Sequence, residues 1–342
     1  MGQQANEAAA GITQHIIGDA WCDALAHASP FWDGVVKGEF REKTNGGLLL
    51  QFPIKLIPNA TQGFIPMAGG KVGITPSVQN QYGQLNWKAF YLSINFTLFD
   101  EVVSNGDDDK IKYLAKKIKG ALADANRTMA SSTYLGTYDS IGGTQSSNPL
   151  NFDGLEDVCV ASGSSYAGLT DTDYTDDTSA YLPFISTDTQ PVYGTLNRMI
   201  NTVKGRVQVS EFAPEKYFAT MGGDVFSVFQ NYVQGSQIFG AFLNTSKKYS
   251  VGFEGFTVND VDFYQDSYVG GAGVGASNNR IFIVPMDVFK FHYKFGFDSE
   301  SPFDVEDLRI PDQPIVTTQK YIVGNWVCYD RRLIAVNKSI KI

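Results

Sequence analysis

The sequence predicts an α+β protein with strands at both ends and a mixed middle. Two runs, the apolar "GGLLLQFPIKLI" (46–57) and "LNWKAFYLSINFTLF" (85–99) with its aromatic and β-branched residues, have strand composition. A helical stripe of apolar residues then runs from Asp107 to about residue 133, and strand composition returns in "RIFIVPMDVFKFHYKFGF" (280–297) and "TTQKYIVGNWVCYDRRLIAVNKSI" (317–340).

The 342 residues, 43% hydrophobic and 13% aromatic, suffice for a large core in one elaborate domain or two intertwined ones. A net charge of -9 argues against a free nucleic-acid binder, which usually sets an excess of Lys and Arg against phosphate. Cys22, Cys159 and Cys328 lie far apart without a CxxC pair, so neither a disulfide framework nor a zinc knuckle is expected, and a reducing compartment is the simplest assumption. The first thirty residues have no basic head followed by a continuous apolar stretch, and no run long enough to span a membrane occurs. A soluble protein is expected. "MGQQAN" places Asn6 where a myristoylation signal wants Ser or Thr.

In chain order, "NEAAAGITQHIIGDAWCDALAHA" (6–28) spaces Ile12, Ile16, Trp21, Leu25 and Ala28 as an amphipathic helix that ends before Pro30. The runs at 46–57 and 85–99 are expected to pair as the stems of a hairpin. Between them, residues 58–84 carry Pro58, Pro66, Pro76 and several glycines, which forbid a regular helix. So long a connection is usually functional or ordered by a partner. Ile111, Leu114, Ala115, Ile118, Ala121, Leu122, Ala125 and Met129 define the longest helix, with Lys110, Lys112, Lys116, Lys117 and Lys119 on its other faces, read first as a solvated surface and alternatively as a surface for a polyanion or an acidic partner. Residues 140–180 have the composition of turns and loops. Two shorter helices follow at 195–207 and 222–235, among the strand-like segments "EKYFATM", "YSVGFEGFTVNDVDFYQ" and those already quoted.

Candidate chemistry is sparse. Adjacent aspartates at a helix start point apart, so Asp107, Asp108 and Asp109 read as first-turn residues that complement unpaired N–H groups and the helix dipole, rather than as metal ligands. Asp171, Asp173 and Asp176 or Asp177 of "DTDYTDD" are a weak calcium candidate, because no glycine or distal Glu completes the loop; an exposed acidic loop is the plainer reading. "VGGAGVGASNN" (269–279) lacks phosphate-loop spacing and leads into a strand, so it reads as a flexible hairpin turn. His15, His27 and His292 are the only histidines, and neither G-x-S-x-G nor H-E-x-x-H occurs. No enzyme activity and no cofactor are expected.

The order of arm helix, glycine-rich hairpin, acidic-capped long helix, loop, mixed middle and returning strands resembles the major capsid proteins of tailed bacteriophages, the Hong Kong 97-type fold. The resemblance is most specific in "NWKAFYLSINFTLFDEVVSNGDDDKIKYLAKKIKGALADANRTMA" (86–130), then in "NPLNFDGLEDVC" (148–159) and residues 317–340. It implies an N-terminal arm at 1–40, an extended loop hairpin at 41–97, a peripheral domain at 98–204 with a spine helix at 107–133, an axial domain at 205–308, and returning strands of the peripheral domain at 309–342. It also implies a virion shell of identical subunits in homo-pentamers and homo-hexamers around double-stranded DNA held non-specifically, assembled in the host cytoplasm, with portal, scaffolding and cement proteins as further partners and no membrane. The hairpin would then lie over a neighbour, with Phe64, Ile65, Met67, Lys71 and Ile74 as assembly contacts. Some family members weld their shells between a loop lysine and a neighbour's asparagine; Lys71 is the tip lysine here, while Lys55 and Lys88 lie on the stems. Lys116, Lys117, Arg331 and Arg332 are the basic groups expected to face the interior. An encapsulin-like nanocompartment shell is the nearest alternative, and a secreted carbohydrate-binding or adhesin domain is the alternative of a different class.

Overall fold

A computed structural model describes residues 29–55, 67, 80–97, 107–135, 151–159, 165–170, 181–190, 193–207, 214, 216–235, 255–269, 279–295, 304–309 and 315–340. The arm helix at 6–28, the aspartates of 171–177 and the hairpin residues Phe64, Ile65, Lys71 and Ile74 lie outside these residues, as do Cys22, His15 and His27.

The elements begin with α1 (Pro30–Lys37), β1 (Arg41–Lys43), β2 (Leu49–Lys55), β3 (Asn80–Asn86), β4 (Lys88–Thr97) and the 29-residue α2 (Asp107–Leu135). Next come α3 (Leu155–Val158), β5 (Ser165–Tyr166), β6 (Leu169–Thr170), β7 (Phe184–Ser186), α4 (Tyr193–Arg206), β8 (Tyr217–Met221) and α5 (Gly223–Gly235). The chain ends with β9 (Gly255–Val258), β10 (Val261–Gln265), β11 (Ile281–Pro285), β12 (Phe289–Phe295), β13 (Asp304–Arg309), β14 (Ile315–Cys328) and β15 (Ala335–Asn337).

Pro30 starts a helix. Proline is pre-set for the first helical position, where its missing N–H costs nothing. Gly38 closes α1 at φ 89°, a left-handed conformation that lets its N–H reach the carbonyls of Gly34 and Val35. The buried face of α1 carries Phe31, Trp32 and Val35. The long helix begins at Asp107, so the three aspartates fill its first turn as the dipole argument requires. Farther along, Ala125, Met129, Ala130 and Tyr134 form its buried stripe while Lys116, Lys119, Asp124 and Arg127 face solvent.

Two sheets organise the chain. One has five strands in the order β1-β12-β14-β13, with β4 also paired to β14, and the other has six in the order β7-β15-β11-β8-β10-β9. The sheets draw strands across the expected division at residue 308, since β12 joins the first and β15 the second. In β8 and β11 every residue is buried. Alternation shares them between two cores: Tyr217, Ala219, Met221, Ile281 and Ile283 meet α4 and α5 through Leu196, Met199, Ile200 and Phe229. Phe218, Phe282 and Val284 point the other way, into the larger core with Phe31, Tyr134 and Trp326. There Phe31 lies 4.7 Å from Phe218 edge-on, and Phe289 stacks on Trp326 at 4.7 Å.

Two readings of the sequence are corrected by the strand pairing. The run 85–99 is not one hairpin stem: β2 pairs antiparallel with β3, from Leu49↔Asn86 to Lys55↔Asn80, whereas β4 pairs with β14, from Lys88↔Gly324 to Thr97↔Ile315. The chain changes partner at Trp87, where the Asn325 side chain takes the Asn86 carbonyl at 2.9 Å. Nor do residues 269–279 close a hairpin. The strands on either side of them, β10 and β11, flank β8, which pairs with both. Composition marks a connection as a turn but cannot say that a third strand lies between its ends.

Candidate assembly surface

The β2–β3 hairpin has one buried and one exposed face. Leu50, Phe52 and Ile54 are buried, while the alternate positions Leu49, Gln51 and Pro53 are exposed. Pro53 offers no N–H, which suits an edge strand, and it sits opposite Tyr82, which is 61% exposed. Leu48, at 96% exposure just before β2, and the fully exposed Met67 are further apolar side chains in water. Tyr91 on β4 is a further exposed aromatic.

The inner face is seated closely. A side chain on Gly83 would place its Cβ 2.6 Å from Phe52 Cζ, so only glycine lets β3 pass over that ring. Below lies the β5–β6 turn, where Ala167 holds a left-handed φ of 54° and its carbonyl accepts from Gln84 N–H at 2.9 Å. Tyr166 of the same turn offers its hydroxyl to Cys328 N–H at 2.9 Å, and Phe52 meets Tyr329 edge-on at 5.9 Å. His292 bridges Thr44 (Nδ1, 2.7 Å) and the Tyr329 hydroxyl (Nε2, 2.8 Å), and burial lowers its pKa. The hairpin is therefore bound to β12 and β14 at its base.

The charged groups expected at the shell interior divide. Lys116 is exposed and Lys117 half-buried, but Arg331 and Arg332 are buried within the subunit, which removes them from contact with a packaged polyanion. Arg331 Nε donates to the Tyr181 carbonyl at 2.5 Å with its guanidinium 4.5 Å over the Tyr181 ring, and Arg332 forks onto Asp330 at 2.8 and 2.9 Å. Lys88, expected on a hairpin stem, opens β4 instead and donates to Asp153 at 2.6 Å inside the subunit. Met67 is the one expected contact residue among those described, and it is exposed.

Two buried carboxylates join elements that no local motif links. Asp266 accepts from Ser29 at 2.5 Å, Tyr134 at 2.7 Å and the Tyr268 N–H at 2.9 Å, which ties α1 and α2 to the end of β10. Burial outweighs these donors and pushes the Asp266 carboxyl up to about 6. Glu156 of α3 receives Arg280 and Lys338. Burial also pushes the Cys159 thiol up to about 12 and raises that of Cys328, which disfavours the thiolate of both. Among the described residues no cluster of His, Cys, Asp and Glu could hold a metal, and no helix is long and apolar enough to cross a membrane.

No known protein family and no curated protein matches the sequence. Solved structures do. The chain from the cyanophage A-1(L) capsid asymmetric unit is 13% identical and superimposes with a TM-score of 0.57, over 88% of this chain and 89% of that one. A chain of the capsid of Myoviridae phage XM1 gives 0.53 at 10% identity, over 89% and 90%. The holo-SrpI encapsulin complex from Synechococcus elongatus PCC 7942 gives 0.52 at 9% identity, over 90% and 87%. These likenesses establish a phage capsid-protein fold.

Proposed function

We propose that the chain, with its phage capsid-protein fold, is a coat protein that assembles with copies of itself into an icosahedral shell around double-stranded DNA. The observation that carries this reading is the β2–β3 hairpin, seated closely on one face and presenting Leu49, Pro53 and Tyr82 on the other, with Leu48 exposed just before it. A neighbouring subunit is the natural cover for that face. One heterologous contact repeated by rotation closes pentamers and hexamers, and many simultaneous weak contacts hold the shell.

In this reading the five-stranded sheet with α2 forms the peripheral domain and the six-stranded sheet with α4 and α5 the axial domain. Phe64, Ile65, Lys71 and Ile74 extend the hairpin contact. The role is structural rather than enzymatic. Lys116 and Lys119 supply the inward basic groups, with DNA held mainly by counterions. The shell would be a virion capsid built in a host cytoplasm, with portal, scaffolding or cement proteins as partners.

The encapsulin likeness, close in TM-score to the phage chains, supports a second reading as a nanocompartment shell that holds protein cargo. Electron microscopy of the purified protein at high concentration tests both. Closed shells are expected, and a persistent monomer would overturn the coat-protein reading. Nuclease-protected DNA in particles from the native source supports the capsid, and enclosed protein supports the nanocompartment.

A further inference from the structure

Lys88, Asp153 and Asn325 meet where the chain leaves β3 and enters β4 against β14. The Lys88 ammonium donates to Asp153 Oδ1 at 2.6 Å, and Asn325 Nδ2 donates to Asp153 Oδ2 at 2.5 Å. One carboxylate therefore touches both an amine and a carboxamide. The oxygen of that carboxamide accepts two backbone N–H groups, from Asp153 at 2.8 Å and Trp326 at 2.9 Å. Asn325 is fully buried, and the Lys88 and Asp153 side chains are only 10% and 14% exposed. Phe152, Phe291 and Trp326 belong to the surrounding core, with Trp87 packed against it.

An anchoring asparagine needs a donor and an acceptor, and this one has them in Asp153 and Asn86. The additional features are those of an aminolysis site. Two N–H groups converge on the oxygen that would gain negative charge, as in an oxyanion hole. A carboxylate stands between nucleophile and leaving group, where it can carry protons from one to the other. The fold holds all three groups together, which replaces an encounter in solution by an intramolecular step.

We propose that Lys88 and Asn325 of the same chain become joined by an isopeptide bond that the folded chain forms by itself, with Asp153 as the proton carrier. A proton moves from the Lys88 ammonium to Asp153, which leaves a neutral amine. The amine attacks Asn325 Cγ, and the oxygen of the tetrahedral intermediate rests on the N–H groups of Asp153 and Trp326. Protons pass through Asp153 to Nδ2. The Nζ–Cγ bond forms, the Cγ–Nδ2 bond breaks, and one ammonia leaves with the original extra proton as ammonium. No oxidant, metal or co-reactant enters.

The bond closes most of the chain into one loop and fixes the start of β4 to β14, directly after the hairpin's return strand β3, so the subunit would resist unfolding at that point. It lies within one chain. The proposal therefore does not depend on shell assembly, and each can fail without the other.

The test is the intact mass of the folded full-length chain under denaturing conditions, with peptide mapping. The wild type is expected to be lighter than its sequence by one ammonia and to yield a branched peptide joining positions 88 and 325. Lys88→Arg keeps the cation but not the primary amine, and should return the full sequence mass. Asp153→Ala, shown by a cooperative melt to be folded, should also keep the full mass, and a bond formed without Asp153 would overturn its role as proton carrier. Full sequence mass in the folded wild type, with linear peptides covering Lys88 and Asn325, overturns the proposal.

Discussion

The central strands β8 and β11 and the hairpin β2–β3 are built from similar apolar residues to opposite ends. β8 and β11 are buried on both faces, one face against α4 and α5 and the other against the aromatic core of Phe31, Tyr134 and Trp326. The hairpin buries Phe52 on one face and leaves Leu49 and Tyr82 on the other, with Leu48 exposed just before it. The difference separates what a single subunit completes from what it leaves for a partner. A strand with both faces filled is finished, whereas a strand with one apolar face in water is stable only because its other face is anchored.

The sharpest way to break the comparison is a cavity in the finished region. Phe282→Ala removes a fully buried ring from the larger core, beside Tyr134, and should destabilise the subunit by about 3–5 kcal/mol. Denaturant titration of the unassembled protein would read this as a lower midpoint. An unchanged midpoint would show that the six-stranded sheet does not carry the fold.

The next effect is set by pH. Asp266 has its folded pKa raised from 3.8 to about 6, so its contribution is fully present below the unfolded value and lost as pH rises through the folded one. Stability should fall between about pH 4 and pH 6.5, by at most about 3 kcal/mol. Asp266→Asn keeps the shape without the charge, and its melting temperature should lose this slope. A slope that persists in the variant would assign the effect to another group.

A smaller loss is expected at the seat of the hairpin. Gly83→Ala pushes a methyl into the Phe52 ring and should cost roughly 1–3 kcal/mol of hairpin docking. Limited proteolysis within residues 56–79 should accelerate while global unfolding by near-ultraviolet dichroism changes less. Least of all for the monomer, Leu48→Ser with Tyr82→Ser should alter its stability by no more than about 0.5 kcal/mol. The same pair should raise the concentration needed for assembly, measured by light scattering. A large loss of monomer stability, or unaltered assembly, would remove the hairpin's outer face from the proposed contact.

The regular elements were the legible part. Periodicity located the long helix, the helices at 195–207 and 222–235 and the major strands, because each repeats its own burial pattern along a short stretch. Partner choice was not legible. Trp87 reads as the middle of one strand, yet the pairing passes from β2 to β14 there, and an asparagine some 240 residues away occupies the break. The short strands β1 and β7 carry too little pattern to be read and exist as parallel edges supplied by β12 and β15. Arg331 and Arg332 look like surface charge, and only the Tyr181 carbonyl, its ring and Asp330 account for their burial.

The sequence by itself determined the α+β class, the start of the long helix at its three aspartates, the glycine- and proline-rich hairpin connection and the resemblance to capsid proteins, all of which rest on neighbours close along the chain. Tertiary structure alone decided which strands share a sheet, which hairpin face is covered, and that Ser29, Tyr134 and Asp266, or Lys88, Asp153 and Asn325, meet at all. Those contacts join positions far apart in sequence, and a buried polar group is satisfied only by whatever the finished packing brings within hydrogen-bond reach.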